Sequence, residues 1–121
     1  MKPILTALLL LSLGACAGIQ SHSRSQLIGH WRYSDATQSC DYSFRPDGSF
    51  SGEVRQRTKI VSRFTGRWTI KGTGLVYTYV NDAFGRIPPG TLDRDELLEV
   101  KNGSFVIQAA NGDRRRYRRI Q

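Results

Sequence analysis

From Leu27 onward the apolar residues of the chain recur at every second position, with turn-forming residues between the runs. The longest run sets Ile60, Ser62, Phe64, Gly66, Trp68 and Ile70 on one parity and Lys59, Val61, Arg63, Thr65, Arg67, Thr69 and Lys71 on the other. Successive side chains of a strand point to opposite faces, so this segment predicts a strand with one buried and one wet face. Tyr42 and Phe44 against Asp41 and Arg45 repeat the pattern, as do Phe50, Gly52 and Val54 against Ser51, Glu53 and Arg55. Between the runs lie Pro46 to Ser49, Lys71 to Gly74, Lys101 to Ser104 and Asn111 to Asp113. Their Asp-Gly and Asn-Gly steps supply the positive φ that tight hairpins require. The pattern predicts eight strands, at about 27–34, 40–46, 49–56, 60–70, 74–81, 95–101, 104–110 and 114–120. The longest connection, from Asp82 to Asp93, carries Gly85, Pro88, Pro89 and Gly90 and is expected to cap or rim one end of the sheet. No helical period of useful length appears after residue 15, which excludes parallel βαβ units and makes sequence neighbours pair antiparallel. The expected class is therefore all-β. An up-and-down meander of about eight strands closes most simply into a barrel, closed or half-open.

The first residues follow a different logic. Lys2 precedes an apolar run from Ile4 to Leu13 that breaks at Gly14, too short for the roughly 20 residues a spanning helix needs. A positive residue, an apolar stretch and small residues at its end read as a targeting segment. Leu13, Gly14, Ala15 and Cys16 resemble the lipobox of bacterial lipoproteins. That resemblance implies cleavage before Cys16, diacylglycerol on its thiol, and an amide-linked acyl chain that often follows. Each buried methylene contributes about 0.8 kcal/mol, so two or three such chains make a durable membrane anchor. The expected organisation is a signal peptide over 1–15, lipidated Cys16 with a polar tether over 16–26, and one domain over 27–121. The expected location is the cell envelope. Ala17 follows Cys16 where an inner-membrane retention signal would place Asp, which favours the outer membrane in a Gram-negative cell.

Two cysteines become one once Cys16 carries lipid, so Cys40 has no intramolecular disulfide partner and the domain must be held by packing. The chain has 18 basic and 10 acidic residues; without Lys2 the mature chain stands near +7, a charge suited to anionic surfaces or polymers. Nucleic acid is not among the expected partners. His22 falls in the tether and His30 on the wet parity beside Trp31, so neither predicts a catalytic or metal site. Asp93, Asp95, Glu96 and Glu99 lack the spacing of a calcium loop and read as a solvated strand start. Cys40 has no neighbouring histidine to activate it, and no serine sits in a strained Gly-x-Ser-x-Gly elbow. The residues predict no enzyme, no cofactor and no metal.

Gly29, His30 and Trp31 on the first strand resemble the Gly-x-Trp signature of the lipocalin-like (calycin) barrels. Phe44 to Phe50, followed by Gly66, Arg67 and Trp68, resemble small bacterial domains of that kind. The resemblance implies a barrel plugged at one end by Trp31, with an arginine of the last strand packed on it, for which Arg115, Arg118 and Arg119 are candidates. Trp31, Tyr42, Phe44, Phe64, Trp68, Tyr77, Tyr79 and Phe105 are then either the lining of a pocket for a small apolar or amphipathic ligand or the filling of the interior. A second surface is available for function. Arg114, Arg116 and Arg118 share one parity, and a closed barrel would set them beside His30 and Arg32 on the first strand. That basic face suits an anionic envelope polymer, lipid headgroups or an acidic protein. The expected function is a non-enzymatic envelope lipoprotein that binds a ligand in its barrel, with the interaction module as the alternative.

Overall fold

The computed structural model describes residues 24–120, so the signal peptide, Cys16, His22 and most of the tether lie outside the described residues. A single helical turn, α1 (Arg24–Leu27), leads into β1 (Gly29–Ser34), β2 (Gln38–Phe44), β3 (Ser49–Gln56), β4 (Lys59–Lys71), β5 (Gly74–Asp82), β6 (Leu92–Val100), β7 (Ser104–Gln108) and β8 (Arg114–Arg119). The eight strands form a closed antiparallel barrel in sequence order. Closure rests on two residue pairs between the first and last strands, Trp31 with Arg119 and Arg32 with Arg118. One end of the barrel carries α1, the turns after β2, β4 and β6, and the end of β8; it is called the closed end below. The turns after β1, β3 and β7 and the 83–91 loop lie at the open end.

Two boundaries differ from the sequence reading for identifiable reasons. Arg24 to Gln26, read as the end of the tether, join Leu27 in α1. Gly29, at φ 140°, turns the chain from α1 into β1, a conformation a side chain would resist. The Leu27 carbonyl then accepts a 2.8 Å hydrogen bond from Nε1 of Trp31, while Leu27 itself is fully buried. A four-residue turn leaves no periodicity for a sequence to show. Strand β6 begins at Leu92 rather than near Asp95, because Thr78, Tyr77 and Val76 of β5 pair with Leu92, Asp93 and Arg94.

The inward parity is the predicted one. Phe44, Phe50, Phe64, Trp68, Leu75, Tyr77, Tyr79, Leu97, Phe105, Ile107 and Tyr117 are all buried with Leu27, Trp31 and Cys40 in one cluster. Fully burying one large apolar side chain is worth about 1.5–3 kcal/mol, so this cluster supplies the stability that no disulfide provides. Two inward glycines make room for it. A Cβ on Gly52 would stand 2.2 Å from the Phe64 ring, and one on Gly66 would stand 2.1 Å from the Thr78 carbonyl oxygen. The rings of Phe64 and Phe50 lie over these bare stretches of backbone.

Candidate functional site

The barrel interior is graded along its axis. At the closed end Trp31 meets Phe105 edge-on at 4.8 Å between ring centroids, and Phe44 meets Trp68 at 5.1 Å. The guanidinium of Arg119 lies 4.2 Å over the Trp31 ring and donates to the carbonyls of Gln26, Ile28 and Asn102. Of the three arginines suggested for this role, Arg119 therefore fills it. Arg115 points into the opposite end, and Arg118 points outward.

Further along the axis the residues change from hydrocarbon to hydroxyl and charge. All five tyrosines of the chain face inward, toward the open half: Tyr33, Tyr42, Tyr77, Tyr79 and Tyr117. Tyr42 occupies the centre, with the rings of Phe44, Phe50, Phe64, Tyr77 and Tyr117 within 5.6–6.3 Å. The eight residues considered as a pocket lining thus pack on one another, and they fill the barrel up to the level of Tyr42. Toward the open end several inward positions are only partly covered: Tyr33, Val54, Ser62, Asp95, Ala109 and Arg115 are half-buried, as is Tyr42, while Cys40 beside Tyr33 is buried. They make up the inward lining of the open end, called the cup below, with mixed charge at the rim and the buried rings of Tyr77, Tyr79 and Tyr117 beneath.

Charged residues give the open end its polarity: Asp35, in the turn after β1, accepts a 2.8 Å hydrogen bond from the Tyr33 hydroxyl, and Asp95 and Arg115 enter from β6 and β8. Asp95 accepts a hydrogen bond of 3.1 Å from the Tyr77 hydroxyl. Burial, with the nearby Asp93 charge adding to it, pushes its carboxyl up to about 6. Arg115 lies 5.5 Å over the Tyr33 ring and reaches Asp113 only at 3.9 Å. Burial also pushes the hydroxyls of Tyr42, Tyr77, Tyr79 and Tyr117 upward, so at neutral pH they are uncharged hydrogen-bonding groups. Cys40, the register partner of Tyr33, is buried beside it, with its thiol likewise pushed up by desolvation. A thiol held protonated is a poor nucleophile.

One wall of the cup is held by the 83–91 loop. Asp82, the one buried carboxylate among the core positions, accepts the backbone N–H groups of Phe84, Arg86 and Ile87, and Ile87 packs against the core. The loop thus rims the open end, where the sequence placed it at one end or the other.

The remaining candidates lie outside the cup. His30, Arg32, Arg114, Arg116 and Arg118 are exposed on the outer face along the β1–β8 junction, where Arg32 and Arg118 are register partners. Their charge is partly spent: Arg32 makes a two-pronged pair with Asp41 at 2.7 and 2.8 Å, and Arg116 reaches Glu99 at 3.4 Å. His30 contacts the Ser43 hydroxyl at 2.6 Å. Arg114 and Arg118 have no acidic partner among the described residues. The acidic group of β6 is split by strand parity. Asp93 and Asp95 turn inward, while Glu96 pairs with Arg94 and Glu99 with Lys101 on the outside. Among the described residues no three potential metal ligands converge.

The sequence reading missed Asp95, Arg115, Tyr33 and Tyr117 as members of one site. The signal was present: Asp95 shares its parity with buried Leu97, and Arg115 shares its parity with Tyr117 and Arg119. A charged residue on an inward parity is a mark of a lined opening.

No protein-family model matches the chain, and no curated protein matches it. A solved structure, a lipocalin-like protein from Bacteroides uniformis, is similar to it with a TM-score of 0.57 at 19% identity. The match covers 78% of this chain and 99% of that one. The fold is therefore a lipocalin-like barrel.

Proposed function

We propose that the protein is a non-enzymatic, lipid-anchored envelope lipoprotein that binds a small amphipathic ligand in the cup at the open end of its barrel. The observation that supports this reading is the half-buried set of inward side chains at the open end, Tyr33, Val54, Ser62, Asp95, Ala109 and Arg115, against the sealed ones at the Trp31 end. A filled lower barrel leaves no depth for a long chain. The cup suits a compact ligand whose apolar or aromatic body lies on the tyrosine faces and whose anionic or polar group meets Arg115. Aromatic faces provide contact area, and a few placed polar groups orient the ligand.

The test uses 8-anilinonaphthalene-1-sulfonate, a compact aromatic anion, in a fluorescence titration of the purified protein. Binding is expected to weaken about 10-fold in Arg115→Gln, since a charge-assisted hydrogen bond contributes about 1.5–3 kcal/mol and exposure of the cup reduces it. Unchanged affinity in a folded Arg115→Gln protein would place the dye elsewhere and remove the support for the cup.

A further inference from the structure

At the closed end, the side opposite the cup, a groove of about 480 Å³ runs over β4 and β5 beneath α1, between Arg24, Arg67, Trp68 and Gly48. Two cations converge there. A Cβ on Gly48 would stand 2.8 Å from Nη2 of Arg67 and 3.6 Å from Nη2 of Arg24, so both guanidinium groups close on one bare point of backbone. Arg24 also lies 4.8 Å over the Trp68 ring, and Arg67 donates to the Asp47 carbonyl at 2.9 Å. Among the described residues, neither arginine has an acidic side chain in ion-pair contact. The carboxylate of Asp47 is the groove's one negative group, and it is turned into its own hairpin, accepting the N–H and hydroxyl of Ser49 at 2.9 and 2.7 Å. Converging guanidinium groups with unused donors match a phosphate oxygen set.

The position of this groove suggests which phosphate. Arg24 is the first described residue and follows Cys16 by eight positions, a span of at most about 29 Å even when fully extended. An acyl anchor on Cys16 would hold the closed end, rather than the cup, next to the bilayer. We propose that the Arg24–Arg67 groove docks on the phosphate of an anionic membrane headgroup, setting the barrel with its closed end on the membrane and its cup facing away. The orientation rests on the lipid-anchor part of the proposed function; the groove's affinity for headgroups does not.

That difference makes the two separable by experiment. Full-length Cys16→Ser protein, which has no thiol to acylate at that position, is floated with vesicles of phosphatidylcholine alone or mixed with phosphatidylglycerol. Acylation of the parent is followed separately with a fatty-acid label. The Cys16→Ser protein is expected to partition preferentially to the mixed vesicles. Adding Arg24→Gln and Arg67→Gln should reduce that partitioning about 10- to 30-fold, because each basic residue near an anionic surface contributes about 1 kcal/mol. Removing the same charge at the open end, with Lys59→Gln and Arg86→Gln, should reduce it no more than about 3-fold. Equal losses from the two double variants would reduce the effect to net charge and overturn the groove. No preference for phosphatidylglycerol would overturn it as well. If the Arg67 change perturbs folding by circular dichroism, Arg24→Gln alone, which leaves every strand untouched, carries the comparison. A positive flotation result with an unlabelled parent would keep the groove and reject the anchor.

Discussion

Arg115 and Arg119 stand four residues apart on the same parity of one strand, and the barrel uses them for opposite purposes. Arg119 is stacked on Trp31 with its donors spent on three carbonyls, whereas Arg115 lies over the Tyr33 ring at the open end, with the Tyr117 hydroxyl beside it. Asp95 faces the same opening and is held under strain of a chemical kind. Its folded-state value of about 6 lies above the roughly 3.9 of an unfolded chain. The folded protein therefore binds more protons than the unfolded one between these values. The Asp95 contribution is most favourable below about pH 4, declines as pH rises through the window to about 6, and stays unfavourable above it. Asp95→Asn, which keeps an acceptor for the Tyr77 hydroxyl, should raise the thermal midpoint at pH 7. The difference between variant and parent should shrink as pH falls from about 6 to 4. A variant less stable than the parent at pH 7 would show that the carboxylate is needed in its charged form.

At the scale of elements, the strands were legible because one face of each is wet, and the wet and dry residues alternate without conflict along β2, β3 and β4. The hairpins were legible from Asp47-Gly48 and Asn111-Gly112. What the pattern could not carry was register. Only pairing shows that Gly66 lies opposite Tyr79 with Phe50 on its other side, so that the glycine is a place for a ring and not a weak point in the strand. The cup was illegible for a related reason: an acidic residue on a strand is read as solvated unless its inward neighbours are known, and Asp95 sat within an acidic run. Trp68 joins both levels. It is 3% exposed, its indole N–H donates to the Arg45 carbonyl at 3.0 Å, and it packs on Phe44. Trp68→Ala should cost about 3–5 kcal/mol in urea unfolding, combining lost burial with an orphaned carbonyl. A loss under about 1 kcal/mol would contradict the packing of the closed end.

For the whole molecule, the two proposed tasks fall at opposite ends of the barrel, ligand binding at the open end and headgroup docking at the closed end where Arg24 and Arg67 converge. The anchor itself is tested by Cys16→Ser in cells: fatty-acid labelling and membrane fractionation should both be lost, and their persistence would remove the lipoprotein reading. The junction that joins β1 to β8 carries a consequence in time. It includes two residue pairs, a 2.9 Å bond from the Ile120 N–H to the His30 carbonyl, and the arginine clasp, whose hydrogen bonds to Ile28 and Gln26 join residues 91 and 93 positions apart. Contacts of such separation form late, since nearly the whole loop must be closed before they are rewarded. A chain emerging N-terminus first, from a ribosome or through a membrane pore, cannot seat Trp31 under its clasp until residue 119 has arrived. Until then the first strand remains an unpaired edge on one side and the interior stays reachable.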